Sequence, residues 1–208
     1  MEFARRLVDG EQRREVGTMS TGMVRRRFTV AEYYCMGEAG ILGPDERTEL
    51  IEGEIFVEPP NTPFHAAAGT RLARSFHQRF VDQAAVRNHN PIRLRDDSEP
   101  QPDIVLARLR PESYGIAHPQ PEDILLVVEI CDTTLTSDRE KKLPLYARAG
   151  TIETWLMNLP DDRIEVYRDP APEGYRSITL VPRDGTVTPL AFPDVAIPCA
   201  ELLPPAPR

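Results

Sequence analysis

Two carboxylates and an ammonium are spaced along the second half of the chain so that they could share one site. Asp103 begins an apolar stretch, Glu129 follows 26 residues later within LLVVEI, and Lys142 lies 13 residues beyond Glu129. Carboxylates at the ends of neighbouring strands can hold Mg²⁺, which needs only one or two of them because water and substrate phosphate supply the rest. A nearby ammonium can orient or deprotonate a water and balance charge on a phosphoryl group. The pattern therefore indicates metal-dependent phosphodiester chemistry.

Glu129 is the most informative of these residues because it interrupts an almost wholly apolar run. A charge in such a run is costly unless it is paired or bound to a metal. Two purely structural roles stay open from the residues alone. Glu129 could form a buried ion pair without function, or it could end its strand and just reach solvent.

The chain has only two lysines, Lys141 and Lys142, beside 23 arginines. Arginine is a permanently charged fork, whereas lysine is a compact ammonium whose pKa shifts on burial, so the pair marks a place where arginine would not serve. On a helix, Lys142 shares a face with Leu145, Tyr146 and Ala149, and this apolar face should point inward. Lys142 is thus the candidate for the inward ammonium, and Lys141 for a solvated neighbour or phosphate contact. The alternative is that both are remnants of compositional drift.

The elements that must position these residues follow from hydrophobic periodicity and from turn and cap signals. Helices are predicted over 28–38, 64–81 and 138–149, and hairpins over 48–57 and 154–168. Further strands are predicted over 92–94, 103–107, 124–130, 175–181 and 187–191. The nearly continuous apolar run at 124–130 is typical of a central strand covered on both faces. This order predicts an α/β (α+β) fold with a mixed central sheet flanked by helices and with extra antiparallel hairpins.

Length and composition indicate one domain over residues 25–203. Residues 1–24 are expected to be disordered or extended, and 204–208 to form a proline-rich tail. No run of 18 apolar residues is present, and the N-terminus lacks the apolar core of a secretory signal. Three cysteines argue against a disulfide framework and against a cysteine-based zinc site. We expect a cytoplasmic protein without membrane partners.

Charge is unevenly distributed, because the net charge is −8 yet residues 71–95 hold six arginines and one acid. A local basic face can bind phosphates on an acidic protein. The candidates for contact with a nucleic-acid backbone are Arg71, Arg74 and Arg79, with Lys141 beside them. The alternative is a solvated helix face.

Several short motifs, taken in order, resemble the Uma-two family of bacterial endonucleases. They are ELIEGEI, His65 at a helix start, PDIVLA, LLVVEI, and DREKKLPLYARAG before a tryptophan-containing strand. The resemblance covers roughly residues 28–203. It implies a restriction-endonuclease-like core with a PD-(D/E)XK motif, in which Asp103 and Glu129 bind Mg²⁺ or Mn²⁺. Duplex DNA as substrate and a homodimer with two sites are expectations from that fold.

This chain departs from the strict motif at one position. The motif has lysine two residues after the glutamate, where this chain has Cys131. The resemblance suggests that the lysine has moved to the following helix, at Lys142.

Two residues are candidate auxiliaries, Glu49 and His65. The resemblance implies an extra acid near the metal, for which Glu49 in the first hairpin is the candidate. His65, in the first turn of the predicted long helix, could contact phosphate or act as an acid, because helix N-termini favour anions. The alternatives are a solvent-facing glutamate and a histidine that only caps or packs. His77, His89 and His118 receive no role.

The leading hypothesis is a magnesium-dependent endonuclease with Asp103, Glu129 and Lys142 as catalytic residues. The first alternative is a catalytically degenerate nuclease fold that binds nucleic acid or protein, which Cys131 and the net acidity favour. The second is a different metal hydrolase that uses His65 with the carboxylates and binds zinc.

Overall fold

The computed structural model of the chain describes residues 24–43 and 45–205. The predicted N-terminal segment, except for Val24, lies outside the described residues, as do residues 206–208 of the predicted tail. Within the described part, no helix is both long and apolar enough to cross a membrane.

Local signals explain the first half of the fold. Helix α1 (Val30–Glu38) begins after Thr29, whose side chain accepts from the Glu32 amide while the Glu32 carboxylate accepts from the Thr29 amide. Strands β1 (Thr48–Ile51) and β2 (Glu54–Val57) form the predicted hairpin. Helix α2 (Pro63–Phe80) starts after Thr62, with proline in its first turn.

Six strands form the central sheet in the order β3-β4-β5-β6-β7-β8. They are β3 (Ala85–Asn88), β4 (Ile104–Ala107), β5 (Ile124–Cys131), β6 (Glu153–Asn158), β7 (Arg163–Ala171) and β8 (Gly174–Pro182). Strands β5 and β6 are parallel and the other neighbours are antiparallel. All eight residues of β5 are buried, as its apolar run predicted. The predicted fold class, with a mixed sheet flanked by helices and hairpins, is confirmed.

The sheet separates two cores. Helix α2 buries the stripe Ala68, Leu72, Phe76 and Phe80 in a core that also holds Val128, Ile130 and Trp155. On the other face, Val127 packs with residues of the first hairpin and of helix α4 (Leu143–Arg148), namely Ile51, Leu145 and Tyr146. Since side chains alternate along a strand, Glu129 shares the face of Val127 and points toward α4 and the hairpin.

The predicted strand over 92–94 is wrong, and β3 was missed. Ile92 and Leu94 are buried, but their amides donate to Pro100 and Ser98 in the neighbouring loop and not to a strand ladder. Burial of two alternating apolar residues therefore imitated a strand signal. The true strand, AVRN, has only two apolar residues and gave too short a pattern to recognise.

The predicted helix over 138–149 is present with an irregular start. A single turn, α3 (Leu135–Ser137), leads into a π-helical turn over Asp138–Lys142, and α4 follows. The Leu143 amide donates to the Asp138 carbonyl, five residues back. The wide turn immediately precedes Pro144, which lies in the first turn of α4, where its missing amide costs least.

The predicted strand over 187–191 is also corrected. Only Thr186–Val187 form a strand (β9), and it pairs with β10 (Ile197–Pro198), which precedes the short helix α5 (Cys199–Leu202). It does not extend the meander of β6, β7 and β8. Pro189 has no amide to donate to a ladder, which accounts for the early end of β9.

The turn of the first hairpin provides a test of local packing. Gly53 has φ of +78°, and a Cβ there would lie 2.5 Å from the Arg27 Cβ, whereas Gly150 has φ of +81° with no described atom within 4 Å. We expect Gly150→Ala to destabilise by about 1 kcal/mol, the cost of left-handed backbone. Gly53→Ala should cost about 1 kcal/mol or more beyond that, because it also overpacks. Urea denaturation of both variants measures the difference, and equal losses would show that the turn does not dock as described.

Candidate active site

Strand register brings Asp103 and Glu129 together. Strands β4 and β5 pair antiparallel with Ile104 opposite Val128, so the next position sets Asp103 across from Glu129. The Ile130 amide donates to Asp103 Oδ2 at 2.7 Å, which ties the Asp103 carboxylate to β5. The two acids of the motif are therefore neighbours on adjacent strands.

Lys142 points into the same place from the helical segment. Its Nζ lies 3.4 Å from Glu129 Oε1, 3.3 Å from Glu49 Oε1 and 3.5 Å from Glu58 Oε1. Its side chain is only 10% exposed. Lys141 is exposed instead, with its Nζ 4.0 Å from the centre of the Phe56 ring. The two adjacent lysines thus have different surroundings, one inside the acidic cluster and one at its rim.

Charge and burial oppose each other at this cluster. Burial by itself would lower the pKa of Lys142, but the charges of Glu129 and Glu49 outweigh it and hold the pKa well above its usual value. Burial raises the pKa of Glu129, and the charge of Asp103 adds to this while Lys142 opposes it. The pKa of Glu49 is raised for the same first reason, burial. Lys142 is consequently protonated as an ammonium. Burial and mutual repulsion oppose ionisation of all the surrounding carboxylates at the same time.

Tyr146 completes the shell around Glu129. It is fully buried one turn after Lys142, and its hydroxyl donates to Glu129 Oε1. Glu129 Oε1 therefore has both Tyr146 and Lys142 as partners. This contact fixes the orientation of the Glu129 carboxylate.

Two histidines flank Asp103. His65, on the first turn of α2, places Nε2 at 3.4 Å from Asp103 Oδ1, and His89 places Nδ1 at 3.4 Å from the same oxygen. Burial would lower the pKa of His65, but the hydrogen bond to Asp103 and the charges of Asp103 and Asp132 together outweigh it, and the net pKa is raised. Burial likewise would raise the pKa of Asp103, yet the His65 contact holds it below its usual value.

One pocket collects the candidate catalytic and auxiliary residues. Asp103, Glu129, Lys142, Glu49 and His65 all line it. Its other ionisable lining residues are Glu58, Asp132, Asp138 and Lys141. Asp132 accepts from the Thr62 hydroxyl at 2.5 Å, and Asp138 accepts from the Thr134 hydroxyl at 2.6 Å, so both have local partners.

The three arginines predicted to meet a backbone lie elsewhere. Arg71, Arg74 and Arg79 line a separate surface pocket with Glu201. Arg79 Nη2 lies 2.6 Å from Glu201 Oε2, and Arg71 donates to the Ala200 carbonyl at 2.8 Å. The structure therefore does not bring them to the acidic pocket, and any role in binding a backbone stays a prediction.

The oxygen donors of this pocket fit a hard divalent cation. Glu129, Glu49 and Glu58 contact a single ammonium, and the charge of Asp103 acts on Glu129 as well. Burial keeps the pKa of Glu129 high, so added positive charge would stabilise the ionised carboxylates. Within the described ranges, no three His, Cys, Asp or Glu side chains are already arranged as a metal-binding group. An ion here would take Asp103 and Glu129 and leave its other positions to water and phosphate, as Mg²⁺ commonly does.

Three residues of the site escaped sequence reasoning. Glu58 follows the hairpin, in a Pro- and Asn-containing loop without periodicity, and no signal marked it. Tyr146 was placed on the inward face but not against Glu129. His89 could have been found only through β3, since Asn88 pairs with Ile104 and the next pair is His89 with Asp103. Missing that strand therefore meant missing the histidine.

Comparison with known proteins gives a family and a fold neighbour. The Uma2 model, described as "Putative restriction endonuclease", matches residues 30–200. A crystal structure titled as a putative nuclease belonging to DUF820, from Anabaena variabilis, is similar with a TM-score of 0.63 and 18% identity. The match covers 85% of this chain and 97% of that one. No curated protein matches.

Proposed function

The chain belongs to the Uma2 family of nuclease-like proteins, and from that premise we propose a metal-dependent endonuclease that hydrolyses phosphodiester bonds of DNA. One observation carries the proposal: Asp103, Glu129 and Lys142, which are far apart in sequence, line one pocket with the Lys142 Nζ 3.4 Å from Glu129. A carboxylate pair beside an ammonium is the donor set that this chemistry needs.

The carboxylates would hold Mg²⁺ or Mn²⁺, with Asp103 and Glu129 as ligands. A bound ion would supply Lewis-acid stabilisation of the charge that develops on the phosphoryl oxygens. Asp103 is oriented for this by the Ile130 amide and by His65. Glu129 is oriented by Tyr146 and Lys142.

Lys142 orients the attacking water and does not deprotonate it. The charges of Glu129 and Glu49 keep the pKa of Lys142 above its usual value, so its Nζ retains three protons to donate. An ammonium held there can donate to a water or to a phosphoryl oxygen. Cys131, at the usual lysine position, cannot take this role, because it is fully buried and burial raises its pKa. Its thiol therefore stays neutral.

Duplex DNA and a homodimer remain predictions from the fold. Two copies related by a two-fold axis would present one site to each strand of a duplex. His65 and Glu49 remain proposed auxiliaries, His65 toward Asp103 and Glu49 toward Lys142.

Metal dependence is the first test of the proposal. Purified full-length chain is expected to nick or linearise supercoiled plasmid in Mg²⁺ or Mn²⁺, to stop in excess EDTA, and to recover when the metal is restored, because two carboxylates cannot activate a phosphodiester without a cation. Gel electrophoresis of the plasmid measures this.

The outcomes separate the competing functions. Cleavage of RNA but not DNA would support phosphodiester hydrolysis and show that the substrate is RNA. If neither nucleic acid is cut and calorimetry detects no Mg²⁺ or Mn²⁺ binding, the enzyme proposal is wrong and a binding module takes its place. Zinc found by metal analysis and lost in His65→Ala would favour the zinc hydrolase.

A further inference from the structure

A second cavity adjoins the candidate active site on the far side of Asp103. It lies between the first turns of α2 and the end of β3. Asn61, His65 and Asp103 line both cavities. Because these residues are shared, the two cavities adjoin each other at Asp103. We call the second cavity the side groove.

The side groove differs chemically from the acidic pocket. Its polar lining consists of Asn61, His65, Thr70, Asn88 and His89, of which Thr70 already donates its hydroxyl to the Ala66 carbonyl. Asp103 at the junction is the only acid among the described residues that line it. Its remaining lining comes mainly from small residues of α2, namely Ala66, Gly69 and Ala73. Hydrogen-bond donors beside small side chains suit a phosphodiester and its sugar. Because this cavity has a single carboxylate in its lining, it repels a polyanion less than the acidic pocket does.

His89 is held in an unusual backbone conformation at this groove. Its φ is +48°, a left-handed value that few residues other than glycine adopt, although histidine, asparagine and aspartate do so more often. The His89 amide donates to the Asp103 carbonyl at 3.0 Å, so the ladder of β3 and β4 holds the residue in place. A strained position of this kind, next to a candidate site, is a reason to look for function.

The imidazole of His89 has one nitrogen left for a ligand. Its Nδ1 lies 3.4 Å from Asp103 Oδ1 and 3.4 Å from Arg47 Nη2. One nitrogen cannot donate to Asp103 and accept from Arg47 at once, and when Nδ1 accepts from Arg47 the neutral ring carries its proton on Nε2. Nε2 takes no part in either contact, and the side chain is 40% exposed. Arg47 Nη2 also lies 2.6 Å from Glu58 Oε2, so the guanidinium beside the ring is already paired with a carboxylate.

We propose that the side groove binds the phosphate adjacent to the scissile one, with His89 as its hydrogen-bond donor. The inference rests on the proposed nuclease function and extends it, since it states which way a strand leaves the acidic pocket. The strand passes over Asp103, and its next phosphodiester lies against His89, Asn61 and Asn88. His89 acts here as a binding residue for substrate.

Short DNA probes with one or two phosphates test this without requiring cleavage. Binding of fluorescein-labelled TpT and TpTpT is measured by anisotropy in Ca²⁺, which also takes oxygen ligands. The wild-type chain should bind TpTpT about tenfold more tightly than TpT, the worth of one hydrogen bond to a charged group. In His89→Asn this gain should vanish, because the asparagine amide is shorter than the imidazole and does not extend to the position of Nε2. Asparagine keeps the left-handed backbone accessible, so folding is preserved.

A matched control and the contrary outcomes complete the experiment. His77 lies on α2 outside both cavities, and His77→Asn should keep the gain. If His89→Asn also binds TpTpT more tightly than TpT by the wild-type factor, or if the wild-type chain binds both probes equally, the side groove is not a phosphate site. Equal weakening of both probes would mean that His89 acts only through Asp103, which also overturns the inference. A further outcome is that the wild-type chain binds TpTpT more tightly than TpT, loses this difference in His89→Asn, and yet cuts no DNA. That result would support the phosphate site and contradict the proposed hydrolysis.

Discussion

Asp103→Asn is expected to lower the rate of metal-dependent DNA cleavage by about 10³-fold or more. A bound metal ion contributes several kcal/mol of transition-state stabilisation, and this is lost when a metal ligand loses its negative charge. Asparagine retains an oxygen that can accept from the Ile130 amide, so the contact that ties Asp103 to β5 survives. The variant should therefore fold, and its deficit should lie in metal binding and turnover.

Three measurements separate this effect from misfolding. Plasmid cleavage gives the activity, thermal unfolding gives the stability, and calorimetric titration with Mn²⁺ gives the metal affinity. Asp96→Asn is the matched control, because the Asp96 side chain is 85% exposed and lies outside the acidic pocket. A variant at position 103 that cuts DNA at the wild-type rate would remove Asp103 from the proposed mechanism.

Lys142→Arg is expected to lower turnover by about 10²-fold, the cost of displacing a catalytic group by about 1 Å. Nζ of Lys142 fits among three carboxylates at 3.3–3.5 Å, and a planar guanidinium cannot occupy the same point. The positive charge is kept, so Glu49, Glu58 and Glu129 still face a cation. Folding should persist with a modest loss of stability from overpacking.

The neighbouring lysine supplies the control for this substitution. Lys141 is exposed against Phe56, where arginine can stack equally well, so Lys141→Arg should change turnover little. Single-turnover cleavage in Mg²⁺ compares the two variants at matched stability. Equal tolerance of both changes would show that the lysine pair is a compositional remnant and that Lys142 is not part of the chemistry.

Much of the fold was predictable because its signals are local. Thr29 and Glu32 cap α1, Glu52 and Gly53 turn the first hairpin, and the run around Glu129 forms a buried strand. Each of these depends on residues only a few positions apart. The failures came where a short alternation imitated a strand, as with Ile92 and Leu94, or where a proline altered the pattern, as with Pro144 and Pro189.

The acidic site was predictable in part. The spacing of Asp103, Glu129 and Lys142 and the family resemblance led to one pocket, and the structure places all three there. The predicted inward face of the helix did put Lys142 inside and Lys141 outside. Their assignment as metal ligands and ammonium donor stays a proposal that the substitutions above will decide.

By itself the sequence determined most of the helices and strands and showed that the charge of Glu129 must be paired or bound, because periodicity and the cost of burying a charge act within a short window. Only the tertiary structure decided which side chains surround Glu129 and Lys142. Glu58 and Tyr146 reach Lys142 and Glu129 through packing of the hairpin and α4 on one face of the sheet. His89 reaches Asp103 through the pairing of β3 with β4. Such contacts depend on register and layer packing between distant segments, and no local pattern encodes them.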